Sequence, residues 1–215
     1  MDILLKNIML ADATGENVKV AAAKGGEFTG EIQTGAQAME SFPEAAAQIC
    51  PDLAAVEAFL LCEGPGSMLG TRSASAFIAS VAALTKAKIY TWDAMRAAAF
   101  AFAGANPGIA EFSIIAPSRK GFANLLNFSN GEIEFEREVE IAELGGLAHS
   151  GKRLLRQRKN VDAALAGMET VEFSLKEIFE TAKARPELLE PRETPPDAKS
   201  LSKREYVKWK AQARI

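Results

Sequence analysis

The sequence of 215 residues holds one histidine, His149, and two cysteines, Cys50 and Cys62. Each scarcity closes off chemistry. A single imidazole cannot supply the paired histidines of a zinc hydrolase, and no HExxH segment occurs. A serine–histidine–carboxylate triad would have to use His149. That residue stands in Gly145-Gly146-Leu147-Ala148-His149-Ser150-Gly151, which reads as a surface loop or helix start. Two thiols without motif spacing point to a reducing cytosol rather than a disulfide scaffold, and Cys62, inside an apolar run, reads as a small buried hydrophobe. Charge of one sign is also lacking: the formal net charge is −3, so no overall basic field draws a polyphosphate. No uncharged apolar run is long enough to cross a bilayer. Met1-Asp2-Ile3-Leu4-Leu5-Lys6-Asn7 lacks the basic start and long apolar core of a secretory signal. A cytoplasmic protein without a membrane contact is expected.

What remains is ordinary globular usage, 48% hydrophobic and 25% charged, in a chain long enough for one domain or two small subdomains. Ile8 to Ala11, Val18 to Ala23 and Phe28 to Gln33 are short apolar or alternating runs separated by turn signals, a β-meander. Asp12 at the end of the first run starts a turn with Thr14-Gly15, where its carboxylate caps local amides. Met39, Phe42, Ala46 and Ile49 recur at helical spacing, and Pro43 and Ser41 suggest that this helix begins there. The run 55–62 is a candidate strand buried on both faces. A glycine-dense turn follows, Gly64-Pro65-Gly66-Ser67-Met68-Leu69-Gly70-Thr71-Arg72, and then an Ala- and Ser-rich helix to Lys86. Lys88 to Trp92 is a strand, Asp93 caps a helix from Ala94 to about Phe102, and Asn106-Pro107-Gly108 marks a boundary between halves.

The second half opens like the first. Phe112–Pro117, Phe122–Phe128 and Glu132–Glu140 form three strands joined by turns at Ser118-Arg119-Lys120-Gly121 and Ser129-Asn130-Gly131. The glutamates of the third strand read as a solvated face. Leu175, Ile178, Phe179 and Ala182 share a helix face. From Arg185 the chain turns proline-rich and charged, and Ser202-Lys203-Arg204-Glu205 is a possible capping box opening a short terminal helix. Residues 197–215 hold six basic and two acidic side chains, which reads as a solvated helix. Two meanders, each followed by helix and strand alternation, imply a duplicated α/β fold of the actin-like/ribonuclease-H-like kind.

The turn at 64–72, between a buried strand and an Ala-rich helix, resembles the signature of the TsaB/YeaZ family. In that family the form is Gly-Pro-Gly-Ser-Phe-Thr-Gly-x-Arg; here Met68 and Leu69 replace Phe and Thr. Leu10-Ala11-Asp12-Ala13-Thr14 is similar to the family's opening strand and Asp-Thr turn, with Ala13 intervening. Ser118-Arg119-Lys120-Gly121 matches its Arg-Arg/Lys-Gly turn. Leu189-Glu190-Pro191 lies where the family has Pro-x-Tyr-Leu-Arg, although Arg192-Glu193-Thr194 follow instead.

The resemblance implies a non-catalytic, glycoprotease-like subunit of the bacterial threonylcarbamoyladenosine tRNA-modification complex. Its partners would be a TsaD-like catalytic protein, a TsaE-like ATPase or a second copy of itself, with tRNA reached only through the complex. The chain itself would bind no cofactor, ATP and metal residing on partner subunits. Gly35 to Ile49, where TsaD carries metal-binding histidines, has none. The motif and partner surface would comprise Gly64, Pro65, Gly66, Ser67, Gly70, Arg72, Ala76, Ala79, Ser80 and Ala83, with Arg72 orienting the turn or partner rather than catalysing. The alternative is an actin-like kinase or ATPase in which Asp12 handles a metal and the backbone around Gly64, Gly66 and Ser67 cradles phosphate. The expected subdomains are residues 1–105 and 106–185, followed by a tail over 186–215.

Overall fold

The computed structural model describes residues 6–35, 38–149, 151–156 and 162–195. The chain runs β1 (Ile8–Asp12), β2 (Val18–Lys24), β3 (Glu27–Thr34), α1 (Ala38–Ile49), β4 (Ala58–Gly64), α2 (Met68–Thr85), β5 (Lys88–Asp93) and α3 (Ala94–Ala105). It continues through β6 (Glu111–Pro117), β7 (Phe122–Ser129), β8 (Glu132–Glu140), α4 (Leu144–Leu147), β9 (Lys152–Leu155), β10 (Glu169–Thr170), α5 (Leu175–Ala184) and β11 (Glu190–Arg192).

Two mixed sheets result. The first has the order β3-β2-β1-β4-β5-β11 and the second β8-β7-β6-β9-β10. In each, an antiparallel meander leads, and the next strand then crosses back to lie parallel beside the first: β4 beside β1, β9 beside β6. With β11 set aside, the two sheets share one plan, as the repeated sequence layout implies.

Burial explains the sequence pattern. β4 is covered on both faces, which is why its residues form a continuous apolar run instead of alternating. On one face α1 and α2 pack Phe42, Ala46, Ala74 and Ile78 against Met9, Val20, Phe59 and Leu61. On the other, α5 and the start of α3 place Leu175, Phe179, Ala94 and Ala97 over Ile8, Leu10, Leu60 and Trp92. α3 serves both sheets, because Met95, Ala98, Ala99 and Phe102 on its other side pack on Phe112, Ile114, Leu126 and Phe128 of the second.

Four expectations are corrected. First, α1 begins at Ala38, so Pro43 lies inside the helix and Ser41 does not cap it. An interior proline loses a backbone bond and costs about 3 kcal/mol. Burying Phe42, edge-on to Phe77 at 5.3 Å, together with Ala45 and Ala46 offsets a penalty of that size. Second, α5 packs into the first core and β11 pairs with β5, so 175–192 builds on the first sheet and not on the second half or a free tail. Amphipathic spacing identifies a helix face but not the sheet that receives it. Third, β8 is not a plain solvated face. The side chains of Glu136 and Glu138 are each only 6% exposed, held by Arg96 at 2.7 Å and by Ser118 and Arg119 at 2.6 and 3.2 Å. Fourth, His149 stands in the loop between α4 and β9, but its side chain is drawn inward and not left in solvent. Its side chain is largely buried with Nε2 3.4 Å from Glu134, and its backbone N–H donates to Ser113 Oγ. The terminal capping box at 202–205 lies outside the described residues.

Phe112 sits at the centre of the second core, stacked on Phe128 at 4.8 Å and edge-on to Phe102 at 4.7 Å. Phe112→Ala is expected to destabilise the protein by about 3–5 kcal/mol, read as a lowered urea midpoint at unchanged slope.

Candidate functional site at the glycine turn

β4 delivers the chain to a turn that only glycine can build. Gly64 has φ +109°, and the Gly64–Pro65 peptide is cis. Ser67 is the N-cap of α2, its hydroxyl accepting from the Gly70 N–H at 3.2 Å. The turn is pressed against the end of β1. A Cβ on Gly66 would collide with the Thr14 carbonyl and side chain, and one on Gly70 with the Ala13 carbonyl. The Ser67 N–H donates to Thr14 O at 2.7 Å and clamps the two loops together. The glycine spacing therefore records a backbone-to-backbone contact.

The structure brings Asp12, Gly64, Gly66 and Ser67 to one place, but their polar atoms are directed at the chain itself. Asp12 Oδ1 accepts from the Thr14 N–H at 2.8 Å and the Thr14 hydroxyl at 2.6 Å, the turn-capping role read from the sequence. Asp12 Oδ2 faces Arg156 Nη2 at 3.4 Å, and the same nitrogen donates to Thr14 Oγ1 at 3.1 Å. The neighbouring cavity, lined by Asp12, Asn17, Lys19, Trp92, Arg156 and Phe173, measures about 70 Å³. Small-molecule sites take roughly 300–1,000 Å³, so this cavity is small beside them. Among the described residues no group of three or more His, Cys, Asp or Glu side chains is placed to hold a metal ion.

Two participants carried no sequence signal. Arg156 follows β9 without a motif around it. Arg192 of β11 reaches across β5 to Glu63, immediately before the turn, at 2.9 Å, and to Thr91 Oγ1 at 3.1 Å. Glu63 is buried, so this guanidinium offsets a charge that burial alone would penalise. Both arginines become neighbours of the turn only through the sheet topology.

Beyond the turn, α2 divides cleanly. Gly70, Thr71, Ala74, Ile78 and Ala82 are buried on the first sheet and α1. Arg72, Ala76, Ser80 and Ala83 are exposed, together with Leu69 at 66% and Leu84 at 86%, while Ala79 is half-buried. The Ser80 hydroxyl is satisfied by Ala76 O at 2.9 Å. The outward face is thus mostly small, with two large apolar side chains in solvent. No helix among the described residues is long and apolar enough to cross a membrane.

The cysteines are poor nucleophiles. Burial pushes the Cys62 thiol well above its usual range, with the Asp12 charge adding to the effect, and burial pushes Cys50 up to about 11.

Two subdomains with the same strand order, a shared central helix and a closing helix on the first sheet define the actin-like, ribonuclease-H-like class of fold. Among solved structures, YeaZ from Pseudomonas aeruginosa matches with a TM-score of 0.61 and 15% identity over 85% of this chain and 94% of its own. An uncharacterised protein with similarity to peptidase YeaZ from Pseudomonas aeruginosa matches with a TM-score of 0.66 and 13% identity, over 90% and 100%. At these identities the likeness establishes the fold. No protein-family model and no curated protein matches the sequence.

Two glycines are expected to respond with opposite sign. Gly70→Ala forces a Cβ into the Ala13 carbonyl and should cost about 1–3 kcal/mol or more. Gly104→Ala, on an open stretch of α3 with nothing within 4 Å, should stabilise by about 0.5–1 kcal/mol. Urea unfolding of both variants reads the two signs. For the thiols, Ellman's reagent at pH 8 should label Cys50 slowly and Cys62 only after denaturation.

Proposed function

We propose that this chain is a non-catalytic assembly subunit that binds a TsaD-like catalytic protein for threonylcarbamoylation of adenosine 37 in tRNA. One observation carries the reading: the face of α2 that the fold leaves uncovered sets the small Ala76, Ser80 and Ala83 between Leu69 and Leu84, with Arg72 beside them, and the glycine turn that launches the helix is packed directly on the end of β1. Small side chains let a partner helix approach closely, so packing and buried area supply the affinity, with Leu69 and Leu84 as anchors. The Gly-Pro-Gly-Ser-x-x-Gly-x-Arg motif and the YeaZ-like fold support the same assignment. In this reading the complex works in the cytoplasm, ATP and metal sit on partner subunits, a TsaE-like ATPase joins through the complex, and tRNA is met only there. A second copy of the chain competes for the same helix face.

The alternative, an ATP-binding kinase or ATPase of this fold, needs a cleft that admits a nucleotide and an aspartate open to a metal. Here the cavity beside Asp12 is about 70 Å³, and the carboxylate is engaged by Thr14 and Arg156. No observation favours it.

Ala76→Glu and Ala83→Glu place a charge on the outward face without touching the core. Affinity pull-down from the host should recover a TsaD-like protein with the parent chain, and each variant should lose it by tenfold or more while its thermal melt is unchanged. Lys176→Glu, on the exposed side of α5, should retain it. Undiminished recovery with both alanine variants removes α2 as the partner surface.

A further inference from the structure

We infer that Asp12 and Arg156 form an interdomain latch that fixes the angle between the two halves of the fold without a bound ligand. In a two-lobed fold closure is set across the groove between the lobes; besides α3, which packs on both sheets, a further bridge crosses it. Here the bridge is built from the chain. Arg156 is anchored in the second sheet, where its backbone N–H donates to Ile115 O at 2.8 Å. Its side chain leaves that sheet and ends on the first, at Asp12 Oδ2 and Thr14 Oγ1. The two side chains are 20% and 16% exposed, so solvent screens the pair only partly.

The carboxylate that receives it is itself hydrogen-bonded in place. Asp12 Oδ1 is held by the Thr14 N–H and hydroxyl, and the Ala13–Thr14 backbone is pinned by the Gly66–Gly70 turn. The latch therefore closes on a corner of the first subdomain that several hydrogen bonds tie together. Movement of the lobes about the connections at 106–110 and 171–174 has to break this contact. A second tie, Lys19 Nζ to Phe173 O at 2.9 Å, holds the latter connection to the first sheet. The cavity beside the latch measures about 70 Å³, small against ligand sites of roughly 300–1,000 Å³. The inference concerns lobe closure and does not depend on which protein docks on α2.

The test is a distance measurement between lobes. Cysteines introduced by Glu44→Cys on α1 and Glu143→Cys before α4, both at exposed positions, carry spin labels in a Cys50→Ser background. The parent is expected to give one narrow distance distribution that magnesium–ATP at millimolar concentration leaves unchanged. Arg156→Gln is expected to broaden it and shift its mean. Arg119→Gln, which removes a guanidinium paired inside the second half, is expected to leave it unchanged. A parent distribution that is already broad, or an Arg156→Gln distribution superimposable on the parent, overturns the latch. If Arg156→Gln does not fold, Asp12→Asn decides by the same criterion, since it keeps the acceptor for Thr14 and removes the charge. Pull-down of the partner by a variant with an unlatched groove leaves the assembly-subunit reading standing, so the two proposals fail separately.

Discussion

The contact on which the structure depends is that of two backbones with no side chain between them. The Ala13–Thr14 carbonyls lie where Cβ atoms of Gly66 and Gly70 would be, and the Ser67 amide closes the gap with a hydrogen bond. Everything near the site takes its position from that approach. β1 and β4 are parallel neighbours, so their C-terminal ends emerge side by side. The loops leaving them must interlock or splay, and glycine at two positions makes interlocking possible. The direction of α2 follows, and with it the exposure of one helix face and the burial of the other. The same contact explains why a glycine-rich turn before a helix need not be a phosphate site: the Ser67 and Gly70 amides, two that such a site would offer, are already bonded within the chain.

Around this corner the fold spends its charged residues on internal ties. Arg192 meets Glu63, Arg156 meets Asp12 and Arg96 meets Glu136, each joining elements far apart in sequence. Partly buried pairs of this kind contribute less to net stability than to selecting one arrangement over its alternatives, because either partner left alone would be costly. For Arg96, burial works against the charge, but the Glu136 hydrogen bond and the charges of Glu136, Asp93 and Glu190 together outweigh it and raise the pKa.

Much of the architecture is legible in the residues because one physical rule, the periodicity of burial, writes it there. The alternation of β8, the uninterrupted run of β4 and the spacing of Phe42, Ala46 and Ile49 each reflect how many faces an element buries. The repeat of the meander could be seen because both copies obey that rule. What stayed hidden depends on long-range pairing. Nothing in Leu175-Lys176-Glu177-Ile178-Phe179 says which sheet the helix covers, and nothing around Arg156 or Arg192 says which carboxylate each will meet. Pro43 misled for the opposite reason: a strong local preference for a helix start yields to the burial of Phe42 one residue away. At 64–72 the motif reads as a strand-to-helix turn, and the structure has one there, between β4 and α2. Its glycines signalled close approach without saying whether the approaching group is a ligand or the chain itself.

The return of the chain to its starting sheet bears on how the protein is made. The first core is completed by Leu175, Ile178, Phe179, Ala182 and Leu189, and the first sheet by residues 190–192. While the second half is still being translated, β1, β4 and β5 have one face covered by α1 and α2 and the other covered only by the start of α3. Exposed apolar strands in that state are the usual substrates of chaperones and the usual seeds of aggregation. The core and sheet of the amino-terminal half are complete only once nearly the last segment of the chain described here has joined them.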